Sequence, residues 1–442
     1  MPETAGTHMP DNRALDRPDS AAPAAASAFP IAEVRRQFPA LERAGSFVFF
    51  DNGAGAQIPA SVIAAVNDHL LLRNVQRGGP YRHSREVDEM IARARASVAA
   101  LVNARSPDEI AFGLNATSFI RSISLAIGQT LTPRSEIVVS EVDHEANIAT
   151  WLALERAGAT IVWWRGREDG TLAPADLDAL LNERTRLVAC TVASNATGGI
   201  VDVAGVARRA HAVGAEVFLD AVHYAPHGPL DAQALDCDYM VCSGYKIFAP
   251  HMGFACCRRE AINRLPTFRE DFIPDVTPDK LEAGTYAYEN VAGMDAAIGY
   301  IESVGRGFAA APGKSAVSRV ASIRAGMTAI AGYERTLSAA LLEAVAEVPG
   351  LTVFGVTDRG RLDRRVPTLC FDVAGVDSMA ISHGFAKRDI GLRAGHMYSP
   401  RLLTRLGRLP NGVVRASLVH YNTVEEIARF GTALGEVLGE LR

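Results

Sequence analysis

The hydrophobic pattern of the chain alternates, from about residue 50 to residue 260, between short apolar runs and longer amphipathic stretches. The short runs end in small or polar residues and read EIAFGL (109–114), EIVVSEV (136–142), TIVWWR (160–165), RLVACTVAS (186–194), AEVFLD (215–220) and YMVCSG (239–244). Between them lie amphipathic stretches such as DEMIARARASVAALV (88–102) and VAGVARRAHAVG (203–214). This alternation predicts βαβ units and a mostly parallel sheet covered by helices, the α/β class.

Beyond about residue 290 the pattern changes to long helices and separate strands. Helices are predicted for DAAIGYIESVG (295–305), SRVASIRAGMTAIAGYERTLSAALLEAVAEV (318–348) and VEEIARFGTALGEVLGEL (424–441), and strands for LTVFGV (351–356), VPTLCFDV (366–373) and VVRASLVHY (413–421). We therefore expect a large domain over 29–295, whose N-terminal segment packs on a smaller C-terminal α+β domain over 296–442. Residues 1–28 are rich in Pro, Ala, Asp and Ser and are predicted to be a disordered tail.

Composition narrows the class of protein without identifying a function. The 442 residues are 48% hydrophobic and 21% charged, with a formal net charge of −5. This balance argues against nucleic acid or an anionic membrane as the main partner, and no apolar run approaches the ~20 residues of a membrane helix. The six cysteines have no CxxC or zinc-ligand spacing. They predict reduced, buried thiols in a cytoplasmic protein, with no metal site.

A lysine lies just past the last of the alternating strands, where a charged ammonium is rarely buried unless it is paired or used. Lys246 is one of four lysines in the chain, and Asp220 ends the preceding predicted strand. Ligands collect at the carboxyl ends of parallel strands. A helix cap or a salt bridge would explain Asp220 alone. Together, a desolvated lysine and a nearby acid suit pyridoxal phosphate, which forms a Schiff base with a lysine and has a ring nitrogen that an acid keeps protonated.

Three further strand ends carry polar residues that suit the same cofactor. In FGLNATSFIRSISLAIG (112–128) a strand runs into Asn115 and an apolar helical pattern follows, which predicts a helix N-terminus able to bind a phosphate, or a cap without a ligand. His144 follows another strand and is expected on the face of the ring, although a capping histidine is the simpler interpretation. Asn195 precedes two nearby glycines and is either a turn residue or a partner of the ring oxygen.

The ordered set of motifs resembles the class V aminotransferase-fold enzymes, and most of all their cysteine desulfurase and selenocysteine lyase branch. The matching segments are NATS (115–118), DHEANIATW (143–151), SNATGGI (194–200), FLDAVHYAPHGPLDAQALDCDYMVCSGYK (218–246), EAGTYAYEN (282–290), LRAGH (392–396) and VRASLVHYNTVEEI (414–427). The resemblance covers nearly the whole chain after the tail. It implies a fold-type I pyridoxal phosphate enzyme that acts on an amino acid.

The resemblance also implies a role for each matching residue. Lys246 is the Schiff-base lysine that moves the Cα proton, and His144 stacks on the ring as a second catalytic residue. The other implied cofactor contacts are Asp220 at the ring nitrogen, Asn195 and His223 at the ring oxygen, and Ala116, Thr117, Ser243 and Tyr245 around the phosphate.

Further residues are implied at the edge of the site. Thr285 matches a residue that reaches the phosphate of a neighbouring subunit, which implies a homodimer with shared active sites. Arg415 matches the arginine that binds the substrate α-carboxylate, a role that suits a guanidinium fork. Asn52, Tyr398 and His396 complete the predicted substrate-binding set.

One position departs from the pattern of the family. Desulfurases of this branch carry a mobile cysteine that attacks sulfur, and Tyr398 occupies its place after Arg393-Ala394-Gly395-His396-Met397. A phenol cannot accept sulfur as a thiolate does, so Tyr398 is expected to be an acid, a base or part of the pocket wall. Cys370 lies in an alternating strand and is predicted to be core.

The reaction therefore stays open among several routes. We expect a desulfurase-like C–S lyase that works by β-elimination without a persulfide cysteine. A class V aminotransferase or an amino-acid epimerase would use the same cofactor residues. In another class, a non-catalytic scaffold would bind the cofactor without turnover, but Lys246 and Asp220 are both present. An NAD-type Rossmann enzyme is disfavoured because no glycine fingerprint follows the first strand.

Overall fold

The computed structural model describes residues 29–309 and 317–442, so the predicted tail lies outside the described residues. The α-helices of this part of the chain are α1 (Ile31–Arg36), α2 (Pro39–Arg43), α3 (Ala60–Leu72), α4 (Arg82–Val102), α5 (Ala116–Gly128), α6 (Ala146–Leu152), α7 (Val203–Ala212), α8 (Ala232–Leu235), α9 (Arg259–Asn263), α10 (Tyr288–Ala309), α11 (Arg319–Val345), α12 (Ser378–Ala386), α13 (Pro400–Arg405) and α14 (Val424–Leu441). None of the helices in the described ranges is both long and apolar enough to cross a membrane.

The β-strands form three sheets. The strands are β1 (Val48–Phe49), β2 (Ile110–Gly113), β3 (Glu136–Ser140), β4 (Thr160–Trp164), β5 (Thr185–Thr191), β6 (Glu216–Asp220), β7 (Tyr239–Ser243), β8 (Gly253–Cys257), β9 (Leu351–Phe354), β10 (Thr368–Val373), β11 (Ile390–Gly391), β12 (Arg393–Gly395) and β13 (Val413–Ser417). A seven-stranded sheet has the order β2-β8-β7-β6-β5-β3-β4, a four-stranded sheet has the order β12-β13-β10-β9, and β1 pairs with β11.

The seven-stranded sheet is parallel from β7 to β4 and antiparallel where β8 joins it. Its inner strands are buried on both faces, because helices cover each side of the sheet and form two hydrophobic cores. The predicted α/β fold with a large, mostly parallel sheet is confirmed. The parallel strands place their carboxyl ends along one edge of this sheet.

The four-stranded sheet is antiparallel and has its own core, built with α11, α12 and α14. The N-terminal segment joins this part of the molecule, because Val48 pairs with Ile390 and Asp51 bridges to Ser417. The domain boundary predicted between residues 295 and 296 lies inside α10 and stays a prediction.

The predicted strands extend one to four residues beyond the strands of the structure, and two of them show the cause. The strand expected over 136–142 ends at Ser140, because Asp143 binds the end of the strand through Ser140. The strand expected over 413–421 ends at Ser417. Leu418 lies opposite Pro367 and its N–H donates to Pro367 O, but proline has no N–H to return the second bond of the pair. The pattern did not predict β8, whose residues GFACC follow a segment broken by Gly and Pro.

Candidate active site

A cavity opens at the carboxyl ends of β3, β5, β6 and β7, facing the N-terminus of α5. Nine of the predicted site residues line it: Ala116, Thr117, His144, Asn195, Asp220, His223, Ser243, Tyr245 and Lys246. Four lining residues that the sequence did not indicate are Ile120, Ala146, Thr191 and Val222. The location is that of ligand sites in open α/β sheets, at the strand ends where the order of the sheet reverses.

Lys246 closes the one-turn 3₁₀ segment that follows β7. Its side chain is buried, with 6% of the residue exposed. Burial, and then the positive charge of Arg415, lowers the pKa of the Lys246 ammonium to about 8. A substantial fraction of the amine is therefore neutral near pH 8, and the neutral amine is the form that attacks a carbonyl.

Asp220 ends β6, where it pairs in register with Val241 of β7 and Thr191 of β5. One carboxylate oxygen accepts the Val222 N–H at 2.9 Å. Burial raises the pKa of Asp220, while that N–H and the Lys246 charge act in the opposite direction. The buried carboxylate suits a ligand that brings its own N–H donor, such as a protonated pyridine nitrogen.

His144 lies in the loop between β3 and α6. Its Nδ1 accepts the Ala146 N–H at 3.1 Å. Burial, followed by the charges of Lys246 and Arg415, lowers the pKa of His144 to about 4. The ring is therefore neutral at ordinary pH, and its proton is on Nε2 because Nδ1 is an acceptor.

The loop that carries His144 is fixed by the buried carboxylate before it. Asp143 accepts from Asn147 Nδ2 at 2.7 Å and from Thr191 N at 3.1 Å, and it also contacts the Ser140 hydroxyl. These contacts join β3, α6 and β5 at one point. Burial raises the pKa of Asp143 to about 7.

The N-terminus of α5 forms the opposite end of the cavity. Asn115 and Ser118 make a capping box, and the Ala116 N–H donates to Ser243 Oγ at 3.1 Å. Gly253 lets this turn lie against the sheet, because a Cβ there would stand 2.4 Å from the carbonyl carbon of Asn115. A helix N-terminus flanked by hydroxyls suits a phosphate group.

Two of the buried nitrogens that lack a hydrogen-bond partner within the described residues lie at this site, namely His223 Nδ1 and Arg415 Nε. His223 is 2% exposed, and its Nε2 lies 3.1 Å from Thr368 Oγ1. Arg415 donates to Asn195 O at 2.8 Å and to Asp51 Oδ1 at 2.9 Å. Orphaned polar atoms in this position fit a ligand that brings oxygen acceptors, as both pyridoxal phosphate and an amino acid do.

Asp51 is a site residue that the sequence did not indicate. It lies between two guanidinium groups, because Arg393 donates to its second oxygen at 2.7 Å while Arg415 contacts the first. Gly53 allows the close approach, since a Cβ there would lie 3.1 Å from both Arg415 Cζ and His223 Cε1. The sequence feature that could have indicated Asp51 is its position as a charged residue directly after the apolar run FVFF.

A short loop, His396–Ser399, covers the side of the cavity next to His144. Asn195 Nδ2 donates to Met397 O at 2.6 Å, and Ser399 Oγ donates to Asn195 Oδ1 at 3.0 Å. Glu145 N donates to Tyr398 O at 2.8 Å. Met397 and Tyr398 both have left-handed backbones, with φ of 52° and 57°. Strain at two successive non-glycine residues persists only where surrounding contacts hold the loop.

Tyr398 is the exposed member of this loop, with 52% of its surface accessible. Its ring lies beside that of His144, with centroids 5.6 Å apart and planes at 30°. His396 is also exposed, and its Nδ1 accepts the Tyr398 N–H at 3.0 Å. The structure thus brings Tyr398 to the mouth of the site and leaves His396 behind it.

Asn52 does not fit the predicted substrate contact. Its Nδ2 donates to Phe49 O at 2.8 Å, Ser417 O at 3.1 Å and Asn422 Oδ1 at 3.0 Å. Its Oδ1 accepts from the Tyr421 hydroxyl. Because both N–H groups and the oxygen of this buried amide bind protein groups, Asn52 is a structural link between the N-terminal segment and β13.

Thr285 and Cys370 lie outside the cavity of one subunit. Thr285 is exposed and its hydroxyl reaches Gln76 Oε1 at 3.5 Å. Cys370 is buried in β10, opposite Arg415 of β13, and burial raises the pKa of its thiol to about 12. A thiol of that pKa is protonated near neutral pH and is a poor nucleophile.

A comparison with known families gives one match that spans most of the chain. The sequence profile of the family described as Aminotransferase class-V matches residues 48–321 and 308–430. The matched ranges contain every residue that lines the cavity.

Relatives and solved structures agree with this match. The Aminotransferase-like protein FGM3 of Gibberella zeae is 35% identical over 93% of this chain and 99% of its own length. A Cysteine desulfurase of Enterobacter sp. is 32% identical over 92% of this chain and 98% of its own length. The crystal structure of the Escherichia coli cysteine desulfurase CsdA, in an S-sulfonic acid form, superposes with a TM-score of 0.80 at 28% identity, covering 94% of this chain and 100% of that chain.

Proposed function

Because the chain belongs to the aminotransferase class-V family and is a pyridoxal phosphate-dependent enzyme related to cysteine desulfurases, we propose that it is a C–S lyase. It cleaves a sulfur-containing amino acid by β-elimination and uses no persulfide cysteine. The bond between Cβ and sulfur breaks, a thiol or sulfide leaves, and one water hydrolyses the remaining three-carbon fragment to pyruvate and ammonia. The observation that carries this proposal is the 396–399 loop, which is held in place and has no cysteine, with Tyr398 at the position that the motif resemblance gives to the desulfurase cysteine.

The loop supports elimination over persulfide formation for two reasons. Its hydrogen bonds to Asn195 and Glu145 hold it against the large sheet, whereas a persulfide arm must move. The nearest cysteine along the chain, Cys370, is buried with a raised pKa, so it is no substitute for the missing thiolate. A sulfur leaving group must therefore depart into solvent.

The residues of the site have different proposed roles in binding the cofactor, binding the substrate and moving the proton. When bound, pyridoxal phosphate supplies an electron sink for charge that develops at the substrate Cα. Lys246 holds the cofactor and takes the Cα proton, which its lowered pKa permits. Asp220 keeps the ring nitrogen protonated, and Arg415 orients the substrate through its α-carboxylate. His144 would cover the face of the ring, and Asn195 and His223 would hold the ring oxygen.

We also propose that the protein is a homodimer and that it is located in the cytoplasm. Thr285 is exposed and outside the cavity of its own subunit, which supports a homodimer in which it reaches the phosphate of the neighbouring site. Ala116, Thr117, Ser243 and Tyr245 form the phosphate cup from within the subunit. The six free, buried cysteines support a reducing, cytoplasmic setting.

Product analysis tests the reaction. The holoenzyme is mixed with L-cysteine, cystine or a thioether amino acid, and the products are identified by mass spectrometry. Pyruvate and ammonia with a thiol or sulfide are expected, and a Lys246→Ala variant serves as the control that should form none. Alanine with a persulfide would replace elimination by desulfuration and would require another cysteine to react.

An aminotransferase is the second candidate, because the 35% identical relative carries the name aminotransferase-like. The same residues would bind the substrate, but the amino group would remain on the cofactor and a keto acid with an intact side chain would leave. An epimerase would return the intact amino acid with inverted Cα. A non-catalytic scaffold would show a cofactor spectrum that no amino acid changes. The same product analysis separates these outcomes.

A further inference from the structure

Thr368 begins β10 in the four-stranded sheet, yet its side chain reaches the ring-oxygen side of the cavity. It is fully buried, at 0% exposure. Its Oγ1 lies 3.1 Å from His223 Nε2. The close approach depends on Gly198, where a Cβ would stand 2.9 Å from Thr368 Cβ. Thr368 therefore touches both the His223 turn and the glycine turn that follows Asn195.

The direction of this hydrogen bond follows from the partners available. A buried hydroxyl hydrogen needs an acceptor, and within the described ranges His223 Nε2 is the one group in contact with Thr368 Oγ1. The Thr368 hydroxyl is therefore the donor and Nε2 is the acceptor.

The protonation of the ring follows from that direction. Burial, with the charges of Lys246, His227 and Arg415, holds the pKa of His223 well below its usual range, so the ring is neutral. A neutral imidazole carries one proton, which is then on Nδ1. Nδ1 is the nitrogen that has no partner in the part of the chain that the structure describes.

We infer that Thr368 is a positioning residue that fixes the Nδ1–H tautomer of His223 and so presents an N–H donor to the ring oxygen of the cofactor. The inference rests on the proposed function, which places that oxygen beside His223. An N–H donor stabilises negative charge on the ring oxygen and lowers the pH at which the lysine-bound cofactor loses its proton. Through His223, a residue of the four-stranded sheet thus supports the cofactor site.

A substitution pair isolates the hydroxyl. Thr368→Val removes it at nearly constant shape, and Thr368→Ser keeps it. Thr352→Val, at an exposed position of the same sheet, is the control that makes the same substitution away from His223. The readout is the pH midpoint of the absorbance of the lysine-bound cofactor. Thr368→Val should raise the midpoint by ~0.5–1 pH unit, the size expected for one buried hydrogen bond, and the other two variants should leave it unchanged.

A second readout does not need the cofactor. The ¹⁵N spectrum of histidine-labelled apoprotein, with His223 assigned by a His223→Gln variant, should show the Nδ1–H tautomer in the wild type and a mixture in Thr368→Val. An Nε2–H tautomer in the wild type would overturn the inference, as would equal midpoint shifts in Thr368→Val and Thr368→Ser. Absence of any Lys246-dependent chromophore would instead overturn the proposed function, while the apoprotein spectrum still decides the tautomer.

Discussion

The floor of the cavity and its mouth are built in different ways. On the floor, Lys246 and Asp220 are each 6% exposed and stand at the ends of strands whose register fixes them. At the mouth, Tyr398 is 52% exposed and belongs to a loop held by side-chain contacts to Asn195 and by one backbone hydrogen bond. The backbone hydrogen bonds of the sheet set the positions of the residues on the floor, whereas individual side-chain contacts set the positions of those at the mouth.

This difference indicates which part of the site determines the type of reaction. Changing the floor requires moving a buried strand, which costs stability and removes the cofactor site as well. Changing the mouth requires a few substitutions in one loop and leaves the cofactor in place. Proteins that share this floor can therefore differ in the bond they cleave, and fold alone does not identify the reaction.

Loss of the lysine on the floor should have the largest effect. Under the proposed function Lys246→Ala removes both the covalent anchor and the proton-transfer group, so turnover should fall by at least ~10³-fold. Borohydride reduction followed by mass spectrometry should find cofactor attached to the wild type and none attached to the variant. Lys387→Ala, at an exposed lysine, should behave as the wild type. Attachment that persists in Lys246→Ala would mean that another lysine is the anchor.

Arg415 joins the floor to the mouth, and its substitution should have an intermediate effect. Arg415→Lys keeps the charge but loses the fork that contacts Asn195 O and Asp51 together, so KM for the amino acid should rise ~10–100-fold. Steady-state kinetics measures this, with Arg393→Lys as the matched control at the half-buried partner of Asp51. Equal increases in KM in both variants would mean that Arg415 acts by pairing with Asp51 and does not bind the α-carboxylate of the substrate.

The pH dependence of cofactor capture reports on the floor alone. Because the neutral amine reacts and the pKa of Lys246 is lowered to about 8, the rate should rise with pH and level off above it. Capture at pH 7 should run at roughly a tenth of the limiting rate, by the fraction of neutral amine. Stopped-flow absorbance of apoprotein mixed with pyridoxal phosphate measures the profile.

The control for that profile is Asp143→Asn, which removes the other buried group whose pKa, raised to about 7, falls in the same interval. The midpoint should stay near that of Lys246. A midpoint near the ordinary lysine value of 10.5 would show that the amine is solvated.

The smallest effect is expected at the mouth. Tyr398→Phe keeps the ring beside His144 and removes only the hydroxyl. If Tyr398 only forms part of the pocket wall, the turnover of the variant should fall less than ~5-fold. Product analysis should give the same compounds in both proteins. A fall of ~10²–10⁴-fold would instead make the phenol an acid or a base of the reaction.

The sequence predicted the floor better than the mouth for a physical reason. Lys246 and Asp220 follow apolar runs, so their partners are set by strand order, which the βαβ pattern determines. Asp51 contacts Arg393 and Arg415 across 342 and 364 positions of sequence, and no local pattern reports such a contact. Thr368 is likewise an ordinary member of an alternating strand, and its role arises only where two sheets meet.

The strand boundaries show the same limit. The predicted strands of the large sheet agree with the structure to within three residues at each end, because burial on both faces makes their apolar runs continuous. Their ends are set by side chains such as Asp143, which tertiary packing places. The resemblance assigns Asn52 to the substrate, but three of the four hydrogen bonds of its side chain join Ser417 and the turn after β13, which no local pattern reports.

The pairing of β1 with β11 has a consequence for the order in which the protein is made. Asp51 emerges from the ribosome 342 residues before Arg393, an interval of roughly 20–70 s at ~5–20 residues per second. During that time β1 has no partner strand, and Asp51 has neither of its two arginine partners. The nascent chain can complete its large sheet early, but Asp51 can pair with Arg393 and Arg415 only after β12 and β13 have left the exit tunnel.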